Sequence, residues 1–290
     1  MSTIEVNKLS KYYGDVCALR DISLRLEENK IYGLLGRNGA GKTTLLELIT
    51  NRRFPTSGEV TIDGKSVREN DDAIGRIFCM TEQNLYPEEM TIARLFRWTA
   101  EFYPTFNTDY ALELAKKFEL PLRKKMKSLS TGYTSIAKLI VTLASGAPIL
   151  IFDEPVLGLD AHHRDLFYRE LLSGYMEQPR TVILSTHIIE EISDLLERVI
   201  ILRDHEIAVD DSVENLLRSG YSVSGAEEAV HAFIRGRRCL NIDRMASFAS
   251  AALLGTLSEE DRSRAAELGL ELGALELQKL FIYLTNEEAA

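Results

Sequence analysis

Gly36-Arg37-Asn38-Gly39-Ala40-Gly41-Lys42-Thr43 has the spacing of a Gly-rich phosphate loop, G-x-x-x-x-G-K-[ST]. Its glycines permit backbone dihedrals that turn several N–H groups toward one anion. In such a loop, Lys42 reaches the β- and γ-phosphates of a nucleotide, and Thr43 offers its hydroxyl to Mg²⁺. Residues 30–35 predict a strand before the loop, and Thr44 begins a predicted helix whose N-terminus faces the phosphates. The stretch therefore predicts a nucleotide site between a strand and a helix.

Composition limits the remaining possibilities. The chain has 290 residues, 45% of them hydrophobic, which is enough for one large domain and a small one. A net charge of −10 argues against nucleic acid as the main partner. Cys17, Cys79 and Cys239 are too few and too scattered to indicate a disulfide framework or a metal cluster. No secretory signal and no run of ~20 apolar residues is present, so we expect a soluble protein that could still attach to a membrane protein.

Two kinds of strand pattern flank the phosphate loop. Alternating apolar residues at 4–9, 22–26 and 58–64 predict an antiparallel layer beside the nucleotide. Apolar runs at 77–81, 149–152, 181–185 and 199–202 predict buried strands of a parallel sheet. Asp153 and Glu154 directly follow one of these runs, so this strand would deliver two carboxylates to the edge of the sheet.

The order of these motifs resembles the ATP-binding subunits of ABC transporters over residues 1–215. The resemblance implies an α/β P-loop fold of ABC type, with a mostly parallel core sheet, an antiparallel β subdomain and an inserted helical subdomain at about 88–146. It also implies that Tyr13 stacks on the adenine of ATP and that residues 36–44, including Thr44, surround the phosphates. Gln83 matches the glutamine that contacts Mg²⁺ or the attacking water. Read alone, Tyr13 would more simply be a packing residue and Gln83 a surface residue.

Four further residues receive catalytic or interface roles from the resemblance. Asp153 would hold Mg²⁺ together with Thr43 and Gln83, and Glu154 would act as the base that polarises water. His187 matches the histidine that contacts the γ-phosphate, and Asp160 matches an aspartate that crosses the dimer interface. The other four histidines have no such placement and are interpreted as surface or packing residues.

Leu129-Ser130-Thr131-Gly132-Tyr133 occupies the position of the family's signature motif, LSGGQ. In the family, Ser130, Thr131 and Gly132 would contact the ATP bound by the opposite subunit. Ser130 would also cap the following helix. Thr131 replaces a glycine and Tyr133 replaces the glutamine, which leaves the strength of this motif and the turnover rate open.

The helical region carries aromatic residues at positions 96, 98, 102, 103 and 106. As a stripe these are core residues, but in the family this subdomain receives the membrane subunit, so part of the cluster is expected to form an exposed docking surface. Residues 216–290 contain none of the motifs and are predicted to form a small α+β accessory domain.

The function implied by the resemblance is hydrolysis of ATP, with Mg²⁺, to power a membrane transporter. The subunit would work as a homo- or heterodimer on a polytopic permease, peripheral to the cytoplasmic face of the cell membrane and without nucleic acid. Because the extension after residue 215 is shorter than that of sugar importers, export of peptides, antibiotics or hydrophobic compounds is favoured. The alternative is a soluble ABC ATPase that acts on ribosomes or DNA.

Overall fold

The computed structural model describes residues 3–285, which form two compact units. The first unit contains the described residues up to His187 together with Leu202–Ala208. The second contains Ile188–Ile201 and the described residues from Val209 onward. The domain boundary that the end of the motifs places at residue 215 remains a prediction.

The first unit contains eight strands and six helices in the described part of the chain. Its strands are β1 (Ile4–Tyr13), β2 (Val16–Leu26), β3 (Ile31–Gly36), β4 (Ser57–Ile62), β5 (Lys65–Ser66), β6 (Ile77–Met80), β7 (Ile149–Asp153) and β8 (Thr181–Ser185). Its helices are α1 (Lys42–Ile49), α2 (Asp71–Ile74), α3 (Ile92–Phe102), α4 (Thr108–Lys117), α5 (Thr131–Ala144) and α6 (Ala161–Glu177). The predicted α/β class, with a helical insertion, is confirmed.

Parallel strands form the centre of this unit in the order β3-β8-β7-β6. β3, β7 and β8 are buried along their whole length, which explains why their sequences are apolar without alternation. Because the strands are parallel, their carboxyl ends lie at one edge of the sheet. The loops that leave this edge carry the phosphate loop, Gln83, the Asp153–Glu154 pair and His187.

The predicted antiparallel layer is present in the order β2-β1-β4-β5. Alternation is visible at the start of β1, where Ile4 and Val6 are buried and Glu5 is more exposed. Asp63 and Gly64 join β4 to β5 with φ angles of 50° and 75°, as a two-residue hairpin turn with positive φ at both positions requires. The layer is therefore built as the alternation and the Asp-Gly pair indicate.

The helical insertion consists of α3, α4 and α5, each capped at its N-terminus by a polar side chain: Thr91, Asn107 and Ser130. The aromatic cluster divides between core and surface, as expected, and the docking role of its exposed part stays a prediction. Phe96 is 2% exposed and therefore belongs to the core, whereas Trp98 is 39% and Phe102 71% exposed. One helical turn separates these two rings, which meet edge to face at a centroid distance of 5.7 Å.

The chain then passes through β9 (Arg198–Arg203) and β10 (Glu206–Ser212), each of which belongs partly to both units. The second unit continues with α7 (Val213–Arg218), β11 (Gly220–Ala226), α8 (Glu227–Ile234), β12 (Arg238–Met245), β13 (Phe248–Leu254), α9 (Glu259–Glu267), β14 (Glu271–Ala274) and α10 (Leu277–Thr285). Its sheet is antiparallel in the order β12-β13-β11-β14. From β11 to β14 this is the βαββαβ arrangement of ferredoxin-like domains, so this region has the predicted α+β character.

Candidate functional site

The phosphate loop joins β3 to α1, and close backbone contacts require its glycines. Gly41 precedes α1 with a φ of 104°, and a Cβ atom there would lie 2.6 Å from the Ala18 carbonyl oxygen. Gly39 also has a positive φ, of 84°. A Cβ atom on Gly36 would lie 2.9 Å from the Leu202 carbonyl oxygen. Gly36 and Gly41 therefore leave no space for a side chain where the loop meets its neighbours, and α1 begins directly behind the loop.

Lys42 folds back over this loop. It is 8% exposed, and its Nζ donates a hydrogen bond to the Gly36 carbonyl oxygen at 2.7 Å. Burial lowers the pKa of the Lys42 ammonium, and the carboxylates of Glu154 and Asp153 oppose that shift. A largely dehydrated ammonium on the loop is well placed to bind an anion.

Thr43 and Asp153 bring two oxygen ligands together at the edge of the sheet. The Thr43 hydroxyl donates to Asp153 Oδ2 at 3.1 Å, although 110 residues separate the two in sequence. Asp153 is buried at the end of β7. Burial raises the pKa of its carboxyl group, while the hydrogen bond from Thr43 lowers it. Hydroxyl and carboxylate oxygens are the ligands that Mg²⁺ accepts in phosphate-binding sites.

These two oxygens alone do not complete a metal site. Within residues 3–285, no group of three or more His, Cys, Asp or Glu side chains is arranged to hold a metal ion. Mg²⁺ commonly keeps several waters and takes further ligands from bound phosphates. The arrangement therefore fits a magnesium ion that arrives with a nucleotide.

Glu154 and His187 lie in direct contact beside the Thr43–Asp153 pair. His187 Nδ1 lies 2.8 Å from Glu154 Oε2, and the Glu154 backbone N–H donates to the Ser185 carbonyl oxygen at 2.8 Å. Glu154 has a φ of 49°, which is unusual for a residue other than glycine, and such strain concentrates at functional sites. The sequence identifies both residues, but their direct contact becomes visible only in the fold.

Gln83 lies in the exposed loop after β6, and Lys138 of α5 secures the start of that loop. Lys138 Nζ donates to the carbonyl oxygens of Thr81 and Glu82 at 2.8 and 2.7 Å. The Thr81 hydroxyl in turn donates to the Gln83 carbonyl oxygen at 3.0 Å. Lys138 is not among the site residues predicted from sequence, where its one signal is a single charge inside the apolar segment 136–144.

The signature motif at residues 129–133, called the signature segment below, leads into the first turn of α5. Ser130 caps this helix, as predicted, by accepting a hydrogen bond from the Tyr133 N–H at 3.3 Å. A Cβ atom on Gly132 would lie 2.7 Å from the Gly158 carbonyl oxygen, and one on Gly158 would lie 3.2 Å from the Thr131 methyl carbon. Gly132 is thus the point at which α5 meets the loop after β7. Tyr133 faces the ring of His163, with centroids 6.3 Å apart.

Asp160 caps α6 within its own subunit. Its Oδ1 accepts from the His163 backbone N–H and also lies 2.9 Å from His163 Nδ1. Hydrogen bonds from the His163 backbone and side chain lower the pKa of Asp160. His163, interpreted from sequence as a surface or packing residue, therefore links Asp160 to the ring of Tyr133. The role of Asp160 across a dimer interface stays a prediction.

Tyr13 ends β1, next to the turn that leads into β2. Its side chain is exposed, and Lys11 Nζ lies 5.0 Å from the centre of its ring. β2 then reaches the phosphate loop, because Ala18 and Leu19 are the residues that a Cβ atom on Gly41 would meet. The ring is therefore free of the core and available to a base, and its stacking on adenine stays a prediction.

Known proteins resemble this chain in sequence and in fold. A family model described as "ABC transporter" matches residues 19–157. The chain is 30% identical to the "ABC transporter ATP-binding protein YtrB" of Bacillus subtilis over 266 residues, which are 91% of each protein. It is 33% identical to the "Aliphatic sulfonates import ATP-binding protein SsuB" of Zymomonas mobilis, over 73% of this chain and 86% of that protein. The solved "Dimeric Structure of MJ0796, a Bacterial ABC Transporter Cassette" has a TM-score of 0.65 and 26% identity, over 72% of this chain and 98% of that one.

The contact between Gly132 and Gly158 predicts that Gly132→Ala destabilises the protein by about 1–3 kcal/mol, because the new methyl group meets a backbone oxygen that no side-chain rotation can move. Gly174→Ala in α6 is the matched control. Its methyl group would find the Tyr110 hydroxyl at an ordinary 3.9 Å, and alanine stabilises a helix interior by up to about 1 kcal/mol relative to glycine. Thermal unfolding of the two purified variants measures the difference. Equal melting temperatures would contradict the assigned contact.

Proposed function

Since this chain belongs to the family of ABC transporter ATP-binding proteins, which hydrolyse ATP to power transport, we propose specific roles for its own residues in that reaction. The phosphate loop and Lys42 hold the triphosphate, and Tyr13 stacks on the adenine. Thr43, Asp153 and Gln83 hold the magnesium ion. Glu154 and His187 orient the attacking water. The observation that carries this assignment is the 2.8 Å contact between Glu154 and His187 beside the Thr43–Asp153 hydrogen bond.

The charges in the site support these residue roles. Lys42 provides a positive charge for the β- and γ-phosphates, where negative charge is redistributed in the transition state. Bound magnesium would neutralise further phosphate charge. Glu154 accepts a proton or a hydrogen bond from water, and its contact with His187 fixes the orientation of both side chains. Asp153 is buried and hydrogen-bonded to Thr43, so we assign it to magnesium binding rather than to proton transfer.

A second subunit completes the site in this proposal. Ser130 lies at the N-terminus of α5, a helix of 14 residues that would direct its positive end at a γ-phosphate. Two subunits arranged head to tail would each clamp one nucleotide between a phosphate loop and the partner's residues Ser130, Thr131 and Gly132. The second subunit is either another copy of this chain or a related ATP-binding subunit.

The proposed base predicts distinct effects for two substitutions. Glu154→Gln keeps the shape of the side chain but removes its negative charge, so phosphate release should fall by about 10²-fold or more while ATP affinity is retained. Lys42→Ala should instead weaken ATP binding itself, because it removes the buried cation. Phosphate release and titration with a fluorescent ATP analogue separate the two effects.

Glu119→Gln is the matched control for this experiment. Glu119 is an exposed glutamate that also has a positive φ, of 53°, so it tests the same change of side chain in a similar backbone conformation. It should leave phosphate release unchanged. If Glu154→Gln hydrolysed ATP at the wild-type rate, Glu154 would not be the base.

The proposed partner is a polytopic membrane permease, and the exposed pair Trp98 and Phe102 on α3 supports a docking surface. Among residues 3–285 no helix is long and apolar enough to span a bilayer. Two exposed aromatic rings in contact are unusual on a surface that only meets water. In this proposal the subunit lies on the cytoplasmic face of the membrane through that contact, without nucleic acid.

We predict that the double substitution Trp98→Glu and Phe102→Glu separates the subunit from its membrane protein after detergent extraction, while ATP binding persists. Phe54→Glu is the control, since Phe54 is also an exposed aromatic residue of the first unit. Co-purification with a polytopic membrane protein measures the contact. Recovery with ribosomes or DNA instead would contradict the transporter and favour the soluble ABC ATPase.

Export is the direction that we propose, for peptides, antibiotics or hydrophobic compounds, since one relative is named an export ATP-binding protein. The import name of one relative shows that membership of the family does not decide direction. Vesicles that carry the purified complex test the direction. Accumulation of a hydrophobic dye in inverted vesicles with ATP supports export. No accumulation there, together with uptake by right-side-out vesicles, contradicts export.

A further inference from the structure

Lys138 is the second buried lysine in the described part of the chain, the other being Lys42 of the phosphate loop. It lies in the middle of α5 and is 5% exposed. A dehydrated ammonium is unfavourable unless its donors find partners, and an unbranched apolar side chain would fill the same space at lower cost. The position therefore requires an explanation beyond packing.

The partners of Lys138 are two backbone carbonyl groups that directly precede Gln83. Its Nζ donates to Thr81 O at 2.8 Å and to Glu82 O at 2.7 Å. The Thr81 hydroxyl then donates to the Gln83 carbonyl oxygen at 3.0 Å. A short series of hydrogen bonds thus runs from the middle of α5 to the backbone of Gln83, in a loop whose residues 82–85 are otherwise exposed.

The same helix also contacts the loop after β7. Its N-terminal residues include Ser130 and Gly132, and the hydroxyl of Ser135 donates to the Leu157 carbonyl oxygen in the loop after β7 at 3.0 Å. A helix moves as a rigid element over such lengths, so a shift at its N-terminus is transmitted to both loops. Lys138 is the contact through which this motion would reach Gln83.

We propose that Lys138 is a positioning residue for the ATPase reaction: by holding residues 81 and 82 against α5, it sets the place of Gln83 and couples that place to the signature segment. The proposal rests on the proposed function, in which Gln83 contacts Mg²⁺ or the attacking water. In this proposal Lys138 acts through the loop that it holds and not through a contact of its own with nucleotide or metal.

Lys138→Met tests this role, because methionine keeps an unbranched apolar chain and removes the ammonium group with its donors and charge. We expect kcat for Mg-ATP hydrolysis to fall on the order of tenfold, as is typical when support for a metal site is lost, and the half-saturating Mg²⁺ concentration to rise. The affinity for ATP measured without Mg²⁺ should stay unchanged, since Lys42 and the phosphate loop are intact. Lys138→Arg, which keeps a cationic donor, should restore part of kcat.

Two further variants make the test decisive. Thr142→Val lies in the same helix and is equally buried, but its hydroxyl bonds only to the Lys138 carbonyl oxygen of its own helix, so it should leave kcat and the Mg²⁺ requirement unchanged. Thr81→Val removes the next link toward Gln83 and should reproduce the Lys138→Met phenotype. The double variant of Lys138→Met and Thr81→Val should be no slower than the slower single one, because both act on one series of contacts.

The outcomes separate this proposal from the proposed function. If wild-type protein hydrolyses Mg-ATP and Lys138→Met has the same kcat and Mg²⁺ requirement, the positioning role is wrong while the function stands. The role is also wrong if kcat falls only in proportion to the folded fraction seen in thermal unfolding. If Glu154→Gln retained full activity, the roles proposed for the site would fail on their own evidence.

Discussion

The buried carboxylate of Asp153 is the constraint on which the rest of the first unit depends. A carboxylate at the end of a fully buried strand is unfavourable without partners, and here the hydroxyl of Thr43 provides one at 3.1 Å. That bond is possible only if β3 and β7 belong to one parallel sheet and α1 begins at the same edge. The sheet order, the compact phosphate loop and the position of the two oxygens are therefore parts of one arrangement.

Helix α5 organises the other side of the site. Four residues within little more than two turns of this helix contact a loop or cap the helix end: Ser130, Gly132, Ser135 and Lys138. The close approach of Gly132 to Gly158 leaves no space for a side chain. The signature segment is thus placed by the loop after β7 as well as by its own helix, which links the nucleotide site to the helical insertion.

The parts of this account that sequence predicts are those governed by local rules. Continuous apolar runs identify β7 and β8, alternation identifies β1, and the spacing of the glycines identifies the phosphate loop. Ser130 is correctly expected to cap α5. These features depend on neighbours within a few residues, so the order of residue types is sufficient to find them.

The remaining features depend on contacts between distant segments. The partners of Lys138 lie 56 and 57 residues away, and no local pattern marks them. Phe96 and Trp98 are two residues apart on α3 and look alike in sequence, yet one is in the core and the other is exposed. In the second unit the sequence predicts only the α+β character, because polar residues interrupt β12 and small residues weaken the alternation of β13 and β14.

We propose that each nucleotide lies between the phosphate loop of one subunit and Ser130 of another. Mixing two inactive variants, Lys42→Ala and Ser130→Phe, tests this directly through ATP hydrolysis, because a mixed dimer would contain one site with an intact Lys42 and an intact Ser130. The account predicts that the mixture regains activity that neither variant shows alone. A mixture that remains as inactive as its components would show that the two segments do not act across a dimer.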